Sequence, residues 1–348
     1  MIRLANLQRR AASTPELEAR VSEVLRSGRF IGGPVVTACE QEAARRFGRA
    51  AAVGVGSGTD ALILAFLALD LGPGDEIAIP AISFFATAGA VIHAGATPLI
   101  VDVDDQGLLD PIALDAARSG RTRAVVPVHL FGAVCRFSTD LVVVDDAAQA
   151  VGARGGAWGA LTAVSAYPTK TWGAAGDAGF VLGDDRTLLD RVRALGHHGM
   201  VAPHEHEAVG ATVGRNCRID AIQAAVLLAQ APEIDRRITR RREIAARYDA
   251  SLPADLRPVA RGPDHPVHQY VIRCQDRARW QARFAEADIE TAVYYPRPLA
   301  DQPALRGRVR AGPCPNAARF CDEALALPVD DALTDAEVDA VVATLERR

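Results

Sequence analysis

Leu141-Val142-Val143-Val144-Asp145-Asp146-Ala147-Ala148-Gln149 is the stretch on which the fold turns. Its apolar run, rich in β-branched side chains, reads as a buried strand of a mostly parallel sheet. The two carboxylates that close it stand at the carboxyl edge, where open α/β sheets bind ligands. A carboxylate buried at such an edge needs a partner. Helix capping and metal ligation compete with ligand contact; Asp145 reads equally well as a cap, whereas Asp146 reads better as facing a bound cofactor.

Outward from this strand the pattern repeats. Short apolar runs at 52–55, 76–80, 98–103, 124–129, 141–145, 163–167 and 179–182 alternate with amphipathic segments that include 60–69, 84–94, 186–195 and 220–228. That alternation predicts an α/β fold whose seven-stranded sheet is mostly parallel and flanked by helices. Ahead of it, 15–25 reads as a helix, and Phe30-Ile31-Gly32-Gly33-Pro34 as a turn into another. A charged helix at 233–252 leads into a proline-rich passage through Pro266, which marks a domain boundary. Beyond it, strands at 268–273 and 291–295 and helices at 276–287 and 335–345 predict a small α+β domain. The expected division is a large domain over 1–250 and a small C-terminal one over 251–348.

Composition narrows the function. The 348 residues carry 39 Lys plus Arg and a formal net charge of −4, so nothing marks a nucleic-acid binder. The cluster Arg236, Arg237, Arg240, Arg241 and Arg242 reads as a solvated helix face. Six scattered cysteines outline neither a disulfide framework nor a zinc ribbon, and His197, His198, His204 and His206 match no metal template. No run approaches the roughly twenty apolar residues that span a bilayer, so a cytoplasmic protein with no metal is expected.

One feature of the basic residues stands apart: 39 of them include a single lysine, Lys170. Guanidinium groups stay protonated, whereas an amine can lose its proton and attack a carbonyl. Lys170 follows the strand at 163–167, which carries Ser165, and precedes Gly173, Gly176 and Gly179, a loop a planar ligand could approach closely. Ser57-Gly58-Thr59-Asp60 lies between a strand and a helix, where free N–H groups favour an anion such as phosphate, although any tight turn there wants Gly and a cap. Phe84 opens a helix just past a strand end; it could stack on a flat ring or serve as core packing. A cofactor with a protonated ring nitrogen, such as pyridoxal 5'-phosphate (PLP), would give Asp146 its partner.

Several motifs in order carry a resemblance. They are Phe30 to Pro34, Ser57 to Leu62, Gly72-Pro73-Gly74-Asp75-Glu76, Asp146 to Ala150, Ser165 to Lys170, Gly214-Arg215-Asn216-Cys217-Arg218-Ile219-Asp220, and Tyr295-Pro296 with Pro298-Leu299. With them the chain resembles the DegT/DnrJ/EryC1/StrS family, PLP-dependent nucleotide-sugar aminotransferases on the fold type I scaffold of aspartate aminotransferase. The resemblance implies that Lys170 forms the Schiff base, Asp146 pairs with the ring nitrogen, Phe84 stacks on the ring, and Gln149 contacts its phenolic side or face. Gly58, Thr59 and Ser165 would hold the phosphate. Asn216 would reach the phosphate of a neighbouring subunit, which implies a homodimer with shared sites. An amino acid, glutamate by expectation, would convert PLP to pyridoxamine 5'-phosphate, and a nucleotide-linked keto sugar would accept the amine.

Gly176-Asp177-Ala178-Gly179 resembles members acting on 3-keto sugars more than the 4-keto members, which more often carry Glu at the position of Asp177. A non-catalytic regulatory protein on the same fold is the alternative from another class. Two departures stand out. Only about ten residues separate the strands near Leu130 and Leu141, fewer than the dozen a crossover helix needs. Tyr294 also stands where many relatives have His, so the sugar contacts of Tyr294 and Tyr295 are not carried over directly.

Overall fold

The computed structural model describes residues 1–347 except residue 263. Pro263 of the proline-rich passage and Arg348 of the expected C-terminal domain therefore lie outside the described residues. The first half contains α1 (Leu7–Ala12), α2 (Leu17–Ser27), α3 (Pro34–Phe47), β1 (Ala51–Val55), α4 (Gly58–Ala68), β2 (Glu76–Pro80), α5 (Phe85–His93), β3 (Thr97–Val101), α6 (Pro111–Ala117), β4 (Thr122–Val125) and β5 (Val142–Asp146). Next come β6 (Leu161–Ser165), β7 (Gly179–Gly183), α7 (Arg186–Gly196), the hairpin β8 (Met200–Ala202) and β9 (Glu205–His206), α8 (Ala221–Gln230) and α9 (Ile234–Ala250). The last part holds β10 (Leu256–Pro258), β11 (Tyr270–Cys274), α10 (Arg277–Glu286), β12 (Arg310–Ala311), α11 (Pro315–Glu323), β13 (Ala324–Leu327) and α12 (Asp335–Glu346).

The large sheet runs β1-β7-β6-β5-β4-β2-β3-β12. Its pairings are parallel except at β7, which is antiparallel to both β1 and β6. The seven expected strands are present, and two-residue β12 adds an eighth at the edge. Helix α4 is apolar around its whole circumference, which suits a helix enclosed between the sheet and α5 and α7 rather than one facing water. Its start is fixed by Ser57, whose hydroxyl accepts from the Asp60 N–H at 3.0 Å.

A second sheet, β10-β11-β13, is antiparallel and carries α10 and α12 over a separate apolar cluster built around Tyr248, Tyr270, Trp280 and Phe284. The strand expected at 291–295 is absent: only Ala292 makes a bridge, to Ala326. The edge position goes to β13, whose Ala-Leu-Ala-Leu sequence is buried throughout. The solvated face expected for the arginines of α9 holds for Arg236, which is exposed, but not for Arg237 and Arg241, which are buried and pair with Asp331 and Asp330.

No helix joins β4 to β5. A single 3-10 turn, Leu130–Gly132, takes its place, with Phe131 in the left-handed region at φ 59°. Phe131 stacks on Phe320 of α11 with ring centroids 6.3 Å apart, and Phe137 meets Trp158 edge-on at 6.0 Å. Aromatic side chains thus pack along the connection that has no helix. Phe320→Ala should cost about 3–5 kcal/mol, the usual penalty for emptying an aromatic core site, seen as a lowered denaturation midpoint in guanidinium. A loss below about 1 kcal/mol would show that Phe320 is not filling this gap.

Candidate active site

The site lies where β5 and β6 end. Side chains alternate along a strand, so Asp145 and Asp146 point to opposite faces and take different work. Asp145 is wholly buried; one oxygen accepts from the Trp158 and Gly159 N–H groups, each at 2.8 Å, and from the Thr162 hydroxyl at 2.7 Å. It therefore anchors the turn that leads into β6 and caps no helix. Its other oxygen has no hydrogen bond among the described residues and faces His129 Nε2 at 3.7 Å. His129 Nδ1 accepts from the Cys135 N–H at 3.1 Å, which places the proton of the neutral ring on Nε2, toward Asp145. Burial holds the His129 pKa below its ordinary value against the pull of both carboxylates.

Asp146 turns the other way. It accepts from the Thr87 hydroxyl at 2.8 Å and from the Ala148 N–H at 3.2 Å. Thr87 in turn shares a 2.7 Å hydrogen bond with Ser83, so one hydroxyl from α5 and one from the turn before it fix the carboxylate. Lys170, on the loop after β6, is half-buried as a residue, but its amine is desolvated enough to lower its pKa to about 8, with Asp146 pulling the other way. Desolvation disfavours the ammonium more than this carboxylate favours it.

Gly58, at the start of α4, packs against Ser165 at the end of β6. A Cβ placed on Gly58 would lie 2.7 Å from Ser165 Cβ and 3.2 Å from its Oγ, so only glycine lets the start of α4 approach this serine. Among the described residues no hydrogen-bond acceptor is found for the Gly58 or Thr59 N–H groups, which open the first turn of α4. Phe84 precedes α5, is 61% exposed as a residue, and has its ring tilted against Tyr295 at a centroid distance of 6.4 Å. The Tyr295 hydroxyl is held above its ordinary pKa by burial and by Asp146, and Gln149 offsets part of that rise. Gln149 itself is buried and accepts from the Phe131 N–H at 2.5 Å. Tyr294 is half-buried, its pKa raised by burial and by Glu290 and eased by Gln269.

Lys170, Asp146, Gln149, Tyr295 and Phe84 are thus gathered into one site. Asn216 is not part of that group. It is exposed, pairs with His197 through a β-bridge, and accepts from Arg218 at 3.1 Å. Thr87 and Ser83 were not legible as site residues, since nothing in Ser83-Phe84-Phe85-Ala86-Thr87 shows that hydroxyls four apart face a strand sixty residues on.

These groups suit PLP: N–H and hydroxyl donors for a phosphate, a fixed carboxylate for a ring nitrogen, an open aromatic face, and an amine able to be neutral. The fold and site define a PLP-dependent aminotransferase of fold type I. The model of the DegT/DnrJ/EryC1/StrS aminotransferase family matches residues 12–346, and the chain belongs to that family. It is 37% identical to a "Pleiotropic regulatory protein" of Geobacillus stearothermophilus, with 94% of this chain and 93% of that one covered. It is 35% identical to the UDP-N-acetyl-3-dehydro-alpha-D-glucosamine 3-aminotransferase of Acidithiobacillus ferrooxidans, covering 96% and 93%. The solved structure of Streptomyces venezuelae DesV in complex with a ketimine intermediate superimposes with a TM-score of 0.92 at 33% identity, covering 99% of this chain and 97% of that one.

Lys170 is the chain's sole ε-amine, so its titration can be read directly. Amine-reactive labelling of the cofactor-free protein, followed on the peptide containing Lys170, should show a midpoint at about pH 8. Asp146→Asn removes the attraction for the ammonium and should lower that midpoint. A midpoint at the ordinary value of 10.5, or an upward move in Asp146→Asn, would contradict this electrostatic account.

Proposed function

We propose that this protein transfers an amino group from an amino acid, glutamate by preference, to the keto group of a nucleotide-linked sugar, with a 3-keto sugar favoured over a 4-keto one. The observation that carries the reading is the pairing of one depressed-pKa lysine with a hydroxyl-fixed carboxylate at the end of β5. When bound, PLP supplies an electron sink for the carbon that loses its proton. Lys170 holds the cofactor and, once released, moves that proton; an amine with a pKa of about 8 can both take and return it near neutral pH. Asp146 holds positive charge at the ring nitrogen, and Thr87 and Ser83 keep the carboxylate aimed. Gly58, Thr59 and Ser165 would hold the phosphate, Phe84 would cover a ring face, and Gln149 would contact the phenolic side or face.

Tyr294 and Tyr295 are assigned to the sugar side of the site. They come from the segment beyond residue 250, which fits a large cofactor-holding domain over 1–250 and a small domain over 251–348 that contributes substrate contacts. A homodimer is part of the proposal: Asn216, which is exposed, would serve the cofactor of a second copy. Asp177 in Gly176-Asp177-Ala178-Gly179 and the named reaction of the Acidithiobacillus relative support the 3-keto preference. The name of the Geobacillus relative raises a second reading, a regulatory protein on this fold. The retained Lys170 and Asp146 favour turnover.

Purified protein supplied with PLP, glutamate and isomeric keto sugar nucleotides should aminate 3-keto substrates with a kcat/KM about tenfold or more above 4-keto substrates. Lys170→Ala should lower turnover by at least about a hundredfold, the scale of a lost general base. A reversed preference would assign the 4-keto reaction. PLP binding without turnover of any keto sugar would favour the regulatory reading.

A further inference from the structure

The lysine loop is braced from behind by a cluster that no motif revealed. Arg10 of α1 is buried; its Nη1 donates to the Lys170 carbonyl at 2.9 Å and to the Pro168 carbonyl at 3.4 Å. Its Nη2 donates to Asp330 at 2.8 Å and Asp331 at 3.4 Å, in the turn after β13. Arg241 of α9 shares both carboxylates and donates to the His268 carbonyl at 3.1 Å. Arg237 donates to Gln230 at 2.6 Å and Thr14 at 3.0 Å, and Gln230 donates to the Gly173 carbonyl at 2.6 Å. Three carbonyls of the loop from Pro168 to Gly173 are thus held by one connected network.

A buried ion network is a poor way to gain stability, since apolar packing of equal volume does as well or better. It does fix geometry, because each fork has one arrangement that satisfies its partners. The loop is tight already: a Cβ on Gly173 would sit 2.3 Å from the Pro168 carbonyl oxygen, and the Lys170 N–H donates to the Tyr167 carbonyl at 2.8 Å. Arg10 completes the restraint by taking the carbonyl of the lysine itself.

Resting on the reading of Lys170 as the cofactor lysine, we propose that Arg10 is a positioning residue for the reaction: its guanidinium, clamped by Asp330 and Asp331, sets the backbone from which the Lys170 amine reaches the cofactor. Arg10 touches neither cofactor nor substrate and acts through the loop. Displacement of a reacting group by about 1 Å can cost on the order of a hundredfold in rate, so loosening this clamp should register in turnover before it registers in donor binding.

The test compares wild type, Arg10→Met and Arg10→Lys, each loaded with PLP, by thermal melting, steady-state kinetics with glutamate as donor and a 3-keto sugar nucleotide as acceptor, and pH titration of the cofactor absorbance. Arg10→Met should lower kcat by about tenfold or more, leave the donor KM within about threefold, and shift the titration midpoint by about half a pH unit or more. Arg10→Lys keeps the charge but not the two-pronged fork and should fall between the two. A folded Arg10→Met with wild-type kcat and midpoint, whatever its melting temperature, overturns the proposal. If Arg10→Met does not fold, Arg10→Lys decides: wild-type kcat and midpoint overturn the proposal, and a lower kcat at unchanged KM with a moved midpoint supports it. A wild type whose absorbance does not respond to PLP would sink the cofactor-lysine reading instead.

Discussion

A carboxylate at the end of a buried strand has to be satisfied, and the arrangement of Asp146 organises everything around it. Valines on β5 bury the strand on both faces, which forces the polar groups to its carboxyl end. There the alternation of side chains divides the labour. Asp145 ties down the turn into β6, while Asp146 receives a hydroxyl from α5 and faces the lysine loop. Parallel strand order then brings β6, with Ser165, and the start of α4 to the same edge. The site is a consequence of sheet topology: residues far apart in sequence converge because parallel strands end together.

Much of this was legible in the sequence because it is written in local patterns. Each of the seven strand cores was marked by a run of β-branched or apolar residues, and the turn at Ser57 carried a side-chain cap for the helix that follows it. The lysine stood out by composition alone. What escaped the reading depends on partners remote in sequence. Thr291-Ala292-Val293 has the composition of a strand, yet along the free edge of β13 only Ala292 finds a bridge, to Ala326. The arginines of α9 looked solvated because their carboxylate partners, Asp330 and Asp331, lie some ninety residues downstream. The short connection after β4 was visible as a gap, but not the left-handed Phe131 and the aromatic stack with Phe320 that fill it.

The distribution of basic residues carries a physical lesson of its own. Arginine serves throughout for fixed charge, fork geometry and buried pairing. The one side-chain amine is kept where loss of a proton is useful, and it is flanked by guanidinium groups that never compete for that role. The backbone of the lysine loop is held by one side of this chemistry and its side chain does the other. Positioning and reactivity are separated between two kinds of cation.

The most direct measurement is to load the protein with PLP, reduce it with borohydride, digest it and locate the modified peptide by mass. One pyridoxyl group on the peptide containing Lys170 is the expected result. No adduct, or an adduct confined to the amino terminus at Met1, would contradict the account at its centre.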